Sequence, residues 1–181
     1  MVGTDAVTIA LIADTHGYLD PRVAEVAAGC DRAVHAGDVG GDHILAALDH
    51  DGAPALAVAG NNDTPRHWPE DDQSRLADLP PEVELALPGG RLVVVHGHQW
   101  PARARHARMR GRWPTAAAIV CGHSHRRMID TETAPWVLNP GAAGRSRAYG
   151  GPSCLVLRAA GAGWQITEHR FEPLRNSRTR R

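Results

Sequence analysis

The sequence predicts an α/β fold in which two packed sheets carry helices on their outer faces. Three observations predict it. In the first third, short apolar runs alternate with helix-like segments; the remainder reads as strands joined by short turns; and the Asp, Asn and His residues fit for chemistry fall where the predicted strands end. Buried strands alternating with helices imply a largely parallel sheet built from crossovers.

Taken in order, Val7–Ala13 reads as a buried strand, and Pro21–Ala28 as a helix capped by Asp20 with Pro21 in its first turn. Ala33–Ala36 is a second strand, Asp42–Leu48 a second helix and Ala55–Ala59 a third strand. Val83–Leu87 and Leu92–Val95 flank Pro88-Gly89-Gly90, a hairpin signal. The basic segment Pro101–Arg112 reads as helical. Ala117–Cys121, Met128–Asp130, Trp136–Leu138, Cys154–Arg158 and Gln165–His169 then read as strands. The loops Thr64–Asp78 and Gln99–Pro114 have no clear template.

At 181 residues the chain suits one domain, expected over 1–175, with the polar, basic end Asn176–Arg181 as a frayed tail. One Phe and two Tyr leave an aliphatic core with a few Trp anchors. Arg supplies every basic residue, and the formal charge of zero gives no reason to expect a polyanionic partner. Cys30, Cys121 and Cys154 are odd in number and lack a CxxC pair, which argues against a disulfide framework or zinc ribbon. The start lacks the basic flank of a signal peptide, and no run reaches the roughly 20 apolar residues of a membrane helix. A cytoplasmic location is expected, without a membrane partner.

Asp14-Thr15-His16-Gly17 follows the first strand, Gly37-Asp38 the second and Gly60-Asn61-Asn62-Asp63 the third. His96-Gly97-His98 ends Leu92–Val95, and Gly122-His123-Ser124-His125 ends Ala117–Cys121. Loops at such sheet edges converge, which is where α/β sites assemble. Carboxylates, an amide and imidazoles without a thiolate suit Mn, Fe, Zn, Co or Ni more than Mg or copper. These donors are too many for one tetrahedral site and suit two ions sharing a carboxylate.

The order Asp-x-His, Gly-Asp, Gly-Asn-x-Asp, His-Gly-His and Gly-His-Ser-His resembles the calcineurin-like metallophosphoesterases, and within them the small YfcE-type phosphodiesterases. Asn139-Pro140-Gly141 is similar to that branch's Asn-Pro-Gly-Ser turn, with Ala142 in place of the serine. The likeness runs from about Val7 to Arg147. It implies a four-layer αββα sandwich and a phosphodiesterase using two divalent ions, Mn²⁺ foremost, with a hydroxide bridging them. It further implies that Asp14, His16, Asp38 and His125 hold one ion, and that Asp38, Asn61, His96 and His123 hold the other. The superfamily's leaving-group His is replaced by Asn62, at a position where this branch often carries a residue other than His. Asn62 can donate a hydrogen bond but cannot release a proton near neutral pH. His98 either stands behind the ligands or faces the phosphate. One of Arg145 and Arg147, just past the Asn-Pro-Gly turn, either reaches a substrate phosphate or makes a surface ion pair.

Other residues read as structural. His35 is a hydrogen-bonded core histidine, Asp63 a cap, and His43, His50, His67, His106 and His169 surface residues. Arg103, Arg105, Arg108, Arg110 and Arg112 spread round their helix without an aromatic ladder, so a solvated face is preferred to a nucleic-acid footprint. The expected partner is a small phosphodiester, and self-association is compatible with the sequence. The competing function is an interaction scaffold, because a retromer subunit resembles these enzymes with a degraded metal site; in this sequence no donor is missing.

Overall fold

The structure, a computed structural model, describes residues 6–50, 53–145 and 147–173; the predicted tail lies outside them. β1 (Val7–Ile12) is followed by α1 (Pro21–Ala28), β2 (Arg32–His35), α2 (Asp42–Ala46), β3 (Leu56–Ala57) and α3 (Gln73–Ala77). Then come β4 (Glu82–Leu87), β5 (Gly90–Val95), α4 (Arg105–Arg112), β6 (Ala118–Val120), β7 (Met128–Asp130), β8 (Trp136–Asn139), β9 (Ser153–Ala160) and β10 (Gly163–Arg170).

Two mixed sheets of five strands result, in the orders β10-β9-β1-β2-β3 and β4-β5-β6-β8-β7. β1, β2 and β3 run parallel, as do β5, β6 and β8. The antiparallel strands β9 and β10 widen the first sheet on the side of β1 away from β2, and β4 and β7 flank the second. The parallel strands of each sheet therefore deliver their C-terminal loops to one edge.

Strand alternation divides the core into layers. Ile9, Leu11 and Ala13 meet Leu92, Val94, Val120 and Leu138 between the sheets. Ala10 and Ile12 face the other way, onto Val23 and Ala27 of α1 and Leu45 of α2. Met109 and Trp113 cover the outer face of the second sheet at Val93, Val95 and Ile119. Helix, sheet, sheet and helix make the four layers. Among the described residues no helix is long and apolar enough to cross a membrane, and Cys30, Cys121 and Cys154 are buried, free thiols.

Several boundaries differ from expectation. The third strand shrinks to Leu56–Ala57 because it is an edge with β2 as its partner, and Ala59 N bonds Pro80 O instead. The second helix ends at Ala46, its last turn closed by Leu48 N on Leu45 O. Helix α3, led by a 3₁₀ turn at Glu70–Asp72, falls in a stretch without apolar period. The basic helix starts at Arg105, after a 3₁₀ turn at Ala102–Ala104. Its solvated-face reading fails at two positions. Arg105 is 8% exposed and donates to Gly97 O at 2.7 Å. Arg110 is partly buried and pairs with Asp130 at 2.7 Å; Arg112, paired with Glu82 at 2.9 Å, stays exposed as read.

Candidate metal centre

The first two loops are zipped together by their backbones. Asp14 N donates to Gly37 O at 3.0 Å, His16 N to Asp38 O at 2.9 Å and Gly17 N to Val39 O at 2.8 Å. Inside this seam the Thr15 hydroxyl lies 2.8 Å from Val39 O and 2.9 Å from His35 Nε2. A carbonyl can only accept, so the hydroxyl donates to Val39 and receives the imidazole N–H. His35 Nδ1 is then the unprotonated nitrogen, consistent with its lack of a partner. Burial, reinforced by the charge of His96, pushes the His35 pKa down to about 3, so the ring is neutral.

The third loop hangs on Asp63. Its Oδ1 accepts from Val39 N, Gly40 N and Trp68 Nε1 at 2.9, 3.1 and 2.8 Å, and its Oδ2 from Gly60 N at 2.7 Å. Asp63 is thus the tie between two loops rather than a helix cap. Gly60 is required here, since a Cβ would collide with Asp38 Oδ1. The His123–His125 loop is braced by Asn139, whose Nδ2 donates to Gly122 O at 2.8 Å and to Ser124 Oγ at 3.1 Å. The Asn-Pro-Gly turn was the sequence signal for that brace.

At the centre, Asp14, His16, Asp38 and His125 bring one potential ligand atom each within 4.8 Å of one another. His16 Nε2 lies 3.6 Å from Asp38 Oδ2, and His125 Nε2 lies 3.5 Å from Asp14 Oδ1. A second cluster adjoins it. Asn61 Oδ1 is 3.1 Å from His96 Nε2 and 2.8 Å from His123 Nδ1, while His96 Nε2 is 3.5 Å from Asp38 Oδ1. His96 Nδ1 donates to Ala36 O at 2.8 Å, which aims Nε2 at the centre. All seven donors predicted from the sequence are therefore gathered in two clusters that meet at Asp38.

The electrostatics fit cations. Asp14 is fully buried and its Oδ2 has no hydrogen-bond partner. Burial, against the pull of His96 and with the repulsion of Asp38, pushes its pKa up to about 7. Asp38 is buried too, but hydrogen bonds from His96 and Asn62 hold its carboxyl well below the usual range. For His96 burial favours the neutral ring, and the bond to Asp38 with the charges of Asp38 and Asp14 outweighs it, so its pKa rises. An orphaned buried carboxylate oxygen beside converging imidazoles is what a divalent ion would complete.

The remaining predicted residues divide. Asn62 does not face outward: its backbone N and Nδ2 donate to Asp38 Oδ1 and Oδ2 at 2.8 and 2.7 Å. His98 is exposed, its ring 5.4 Å from that of His96 and 6.3 Å from that of His123. Arg147 comes within 3.4 Å of His125 Nε2 and lines a cavity of about 320 Å³ with His16, Asp38, Asn62 and His67. Arg145 lies 3.8 Å over the Tyr18 ring and lines a separate cavity, which leaves Arg147 as the arginine at the centre. His67, read as a surface residue, is exposed but forms part of that wall. His50 is half-buried, bonding Leu48 O and Ala27 O at 2.9 and 2.7 Å.

Three solved structures resemble the chain in fold. Vacuolar protein sorting 29 from Cryptosporidium parvum matches at 18% identity and a TM-score of 0.69, over 92% of this chain and 98% of that one. A predicted phosphoesterase from Streptococcus pneumoniae matches at 19% and 0.64, over 96% of each. An archaeal phosphodiesterase matches at 18% and 0.65, over 90% of this chain and 99% of that one. No curated protein matches. The model of the calcineurin-like phosphoesterase superfamily domain matches residues 7–161, and the chain belongs to that superfamily.

Proposed function

We propose that this protein hydrolyses phosphate diesters with two divalent ions that share Asp38, in the manner of the small YfcE-type phosphodiesterases. The observation that carries this reading is the Asp38 carboxylate, whose Oδ2 faces His16 at 3.6 Å and Oδ1 faces His96 at 3.5 Å. One side chain thereby joins two donor clusters. Asp14, His16, Asp38 and His125 would hold one ion; Asp38, Asn61, His96 and His123 would hold the other. When bound, such a pair supplies charge against the phosphoryl oxygens and makes hydroxide available near neutral pH.

The protein's own groups do the positioning. Asn62 fixes both oxygens of Asp38, and the Ala36 carbonyl fixes the His96 ring. Arg147, on the cavity wall beside His16 and Asp38, presents planar N–H donors to phosphoryl oxygens. The mixed oxygen and nitrogen donors favour Mn²⁺, with Fe, Zn, Co and Ni as alternatives. A cavity of about 320 Å³ suits a small diester.

The likeness to vacuolar protein sorting 29 favours a second reading, an interaction scaffold. The complete donor set argues for the enzyme. Turnover of bis-p-nitrophenyl phosphate decides between them. It should appear with Mn²⁺, vanish with chelator and return on adding metal, with two ions per chain by elemental analysis. Silence with all five metals would leave the scaffold.

A further inference from the structure

Asn62 stands where the superfamily's proton donor stands, yet its amide is committed to Asp38 at 2.7 Å and has no proton to release near neutral pH. The cavity beside the centre holds another imidazole. His67 lines it together with Arg147, His16 and Asp38. The His67 backbone N donates to Thr64 O at 2.9 Å, and its Nδ1 lies 3.0 Å from Thr64 Oγ1. With Nδ1 so engaged, Nε2 is the nitrogen left for a ligand.

The loop bearing it is held at both ends. Asp63 takes donors from Val39, Gly40 and Gly60. Trp68 is 4% exposed and donates its Nε1–H to Asp63 at 2.8 Å. Between these anchored residues the His67 ring is oriented by its Nδ1 contact with Thr64 Oγ1, and a proton donor must be positioned in this way. His98 lies instead beside His96 and His123 and is not on this cavity's wall.

We infer that His67 donates the leaving-group proton to a diester held in this cavity, a step that rests on the phosphodiesterase reading above. Water forms the new P–O bond as the ester P–O bond breaks, and the electron pair stays on the departing oxygen. That oxygen takes the Nε2 proton of the charged imidazole, whose Nδ1–H remains on Thr64 Oγ1. The proton released by water recharges the ring, so diester plus water gives monoester plus alcohol. With this donor in place the substrate class includes alkyl and sugar diesters, whose alkoxides leave poorly without a proton.

The test is the dependence of turnover on leaving-group basicity, from p-nitrophenyl to alkyl diesters, in the metal-loaded wild type, His67→Gln, His67→Ala and His98→Ala. Metal content and thermal midpoint serve as folding controls. Loss of a positioned acid should slow the alkyl esters about 10²–10⁴-fold in both His67 variants, with little change on p-nitrophenyl esters and a wild-type slope in His98→Ala. A slope unchanged in the His67 variants, including a loss equal across the series, overturns the assignment, as does a slope that steepens in His98→Ala alone. A wild type that turns over no ester with any metal fails the phosphodiesterase reading itself.

Discussion

Thr15→Val tests whether the seam between the first two loops holds the candidate metal ligands in place. Valine nearly matches threonine in shape, so the change removes the hydroxyl and leaves packing close to intact. The hydroxyl bonds Val39 O at 2.8 Å and His35 Nε2 at 2.9 Å, and both Thr15 and His35 are buried. Its loss strands the imidazole N–H out of reach of water, at about 1–3 kcal/mol, whereas Val39 O keeps the Gly17 N–H at 2.8 Å. At about 2–4 °C per kcal/mol for a chain of this length, the thermal midpoint should fall roughly 2–12 °C. Calorimetry on Thr15→Val, His35→Leu and the double variant gives the coupling. If the two groups share a bond, the double variant should be less destabilised than the sum by about 0.5–3 kcal/mol. Additive losses, or a midpoint within about 1 °C of wild type in Thr15→Val, would refute the strut.

The remaining predictions concern protons and metal. The native state holds His35 neutral, with its pKa pushed down to about 3, whereas the unfolded chain protonates it near 6.5. Its contribution is therefore complete above about pH 6.5 and lost progressively as pH falls toward 3. Between pH 7 and 5 the wild type should lose about 2 kcal/mol more than His35→Leu in urea unfolding; equal losses would show that the ring takes up its proton alike in the folded and unfolded chain. Asp38→Asn should remove turnover and most bound metal together, and near-normal turnover at saturating Mn²⁺ would refute the shared carboxylate. His96→Ala should lower metal content from about two ions per chain to about one, while His98→Ala retains both; elemental analysis showing the reverse would exchange their roles.

Legibility in the sequence followed the reach of local signals. Helix α1 was readable to the residue because Asp20 and Pro21 act within one turn: Asp20 Oδ1 accepts from Arg22 N at 3.0 Å. The hairpin of β4 and β5 was readable from Pro88-Gly89-Gly90, where Gly89 takes a φ of 85°. Donors at strand ends were readable because parallel strands bring their C-terminal loops to one edge. What stayed hidden depends on partners distant in sequence. Nothing local marks Arg105 as bound for the Gly97 carbonyl, or Asp63 as the receiver of Val39 and Gly40 N–H groups. His67 looked like any polar loop residue, and only the fold sets it on the same cavity wall as Arg147.

Backbone conformation joins these observations. Among the described residues, the non-glycine positions with positive φ are Asp14, His16, Asp38, His123, His125 and Arg147, five donors of the centre and the arginine beside it. Such conformations cost of order 1 kcal/mol or more each and persist only where the surroundings over-determine them. Their use here is geometric. Left-handed residues just past the end of β1 turn the chain sharply, so Asp14 and His16 both reach the centre while Thr15 between them is buried against His35 and Val39. The backbone bonds from Asp14, His16 and Gly17 to the second loop, with the Thr15 strut, offset that cost on one side of the centre. Asn139 does so on the other, gripping Gly122 and Ser124 next to His123 and His125. Loosening either brace should therefore disturb the candidate ligands before it disturbs the sheets, whose strands are held by their own ladders and by the core between them.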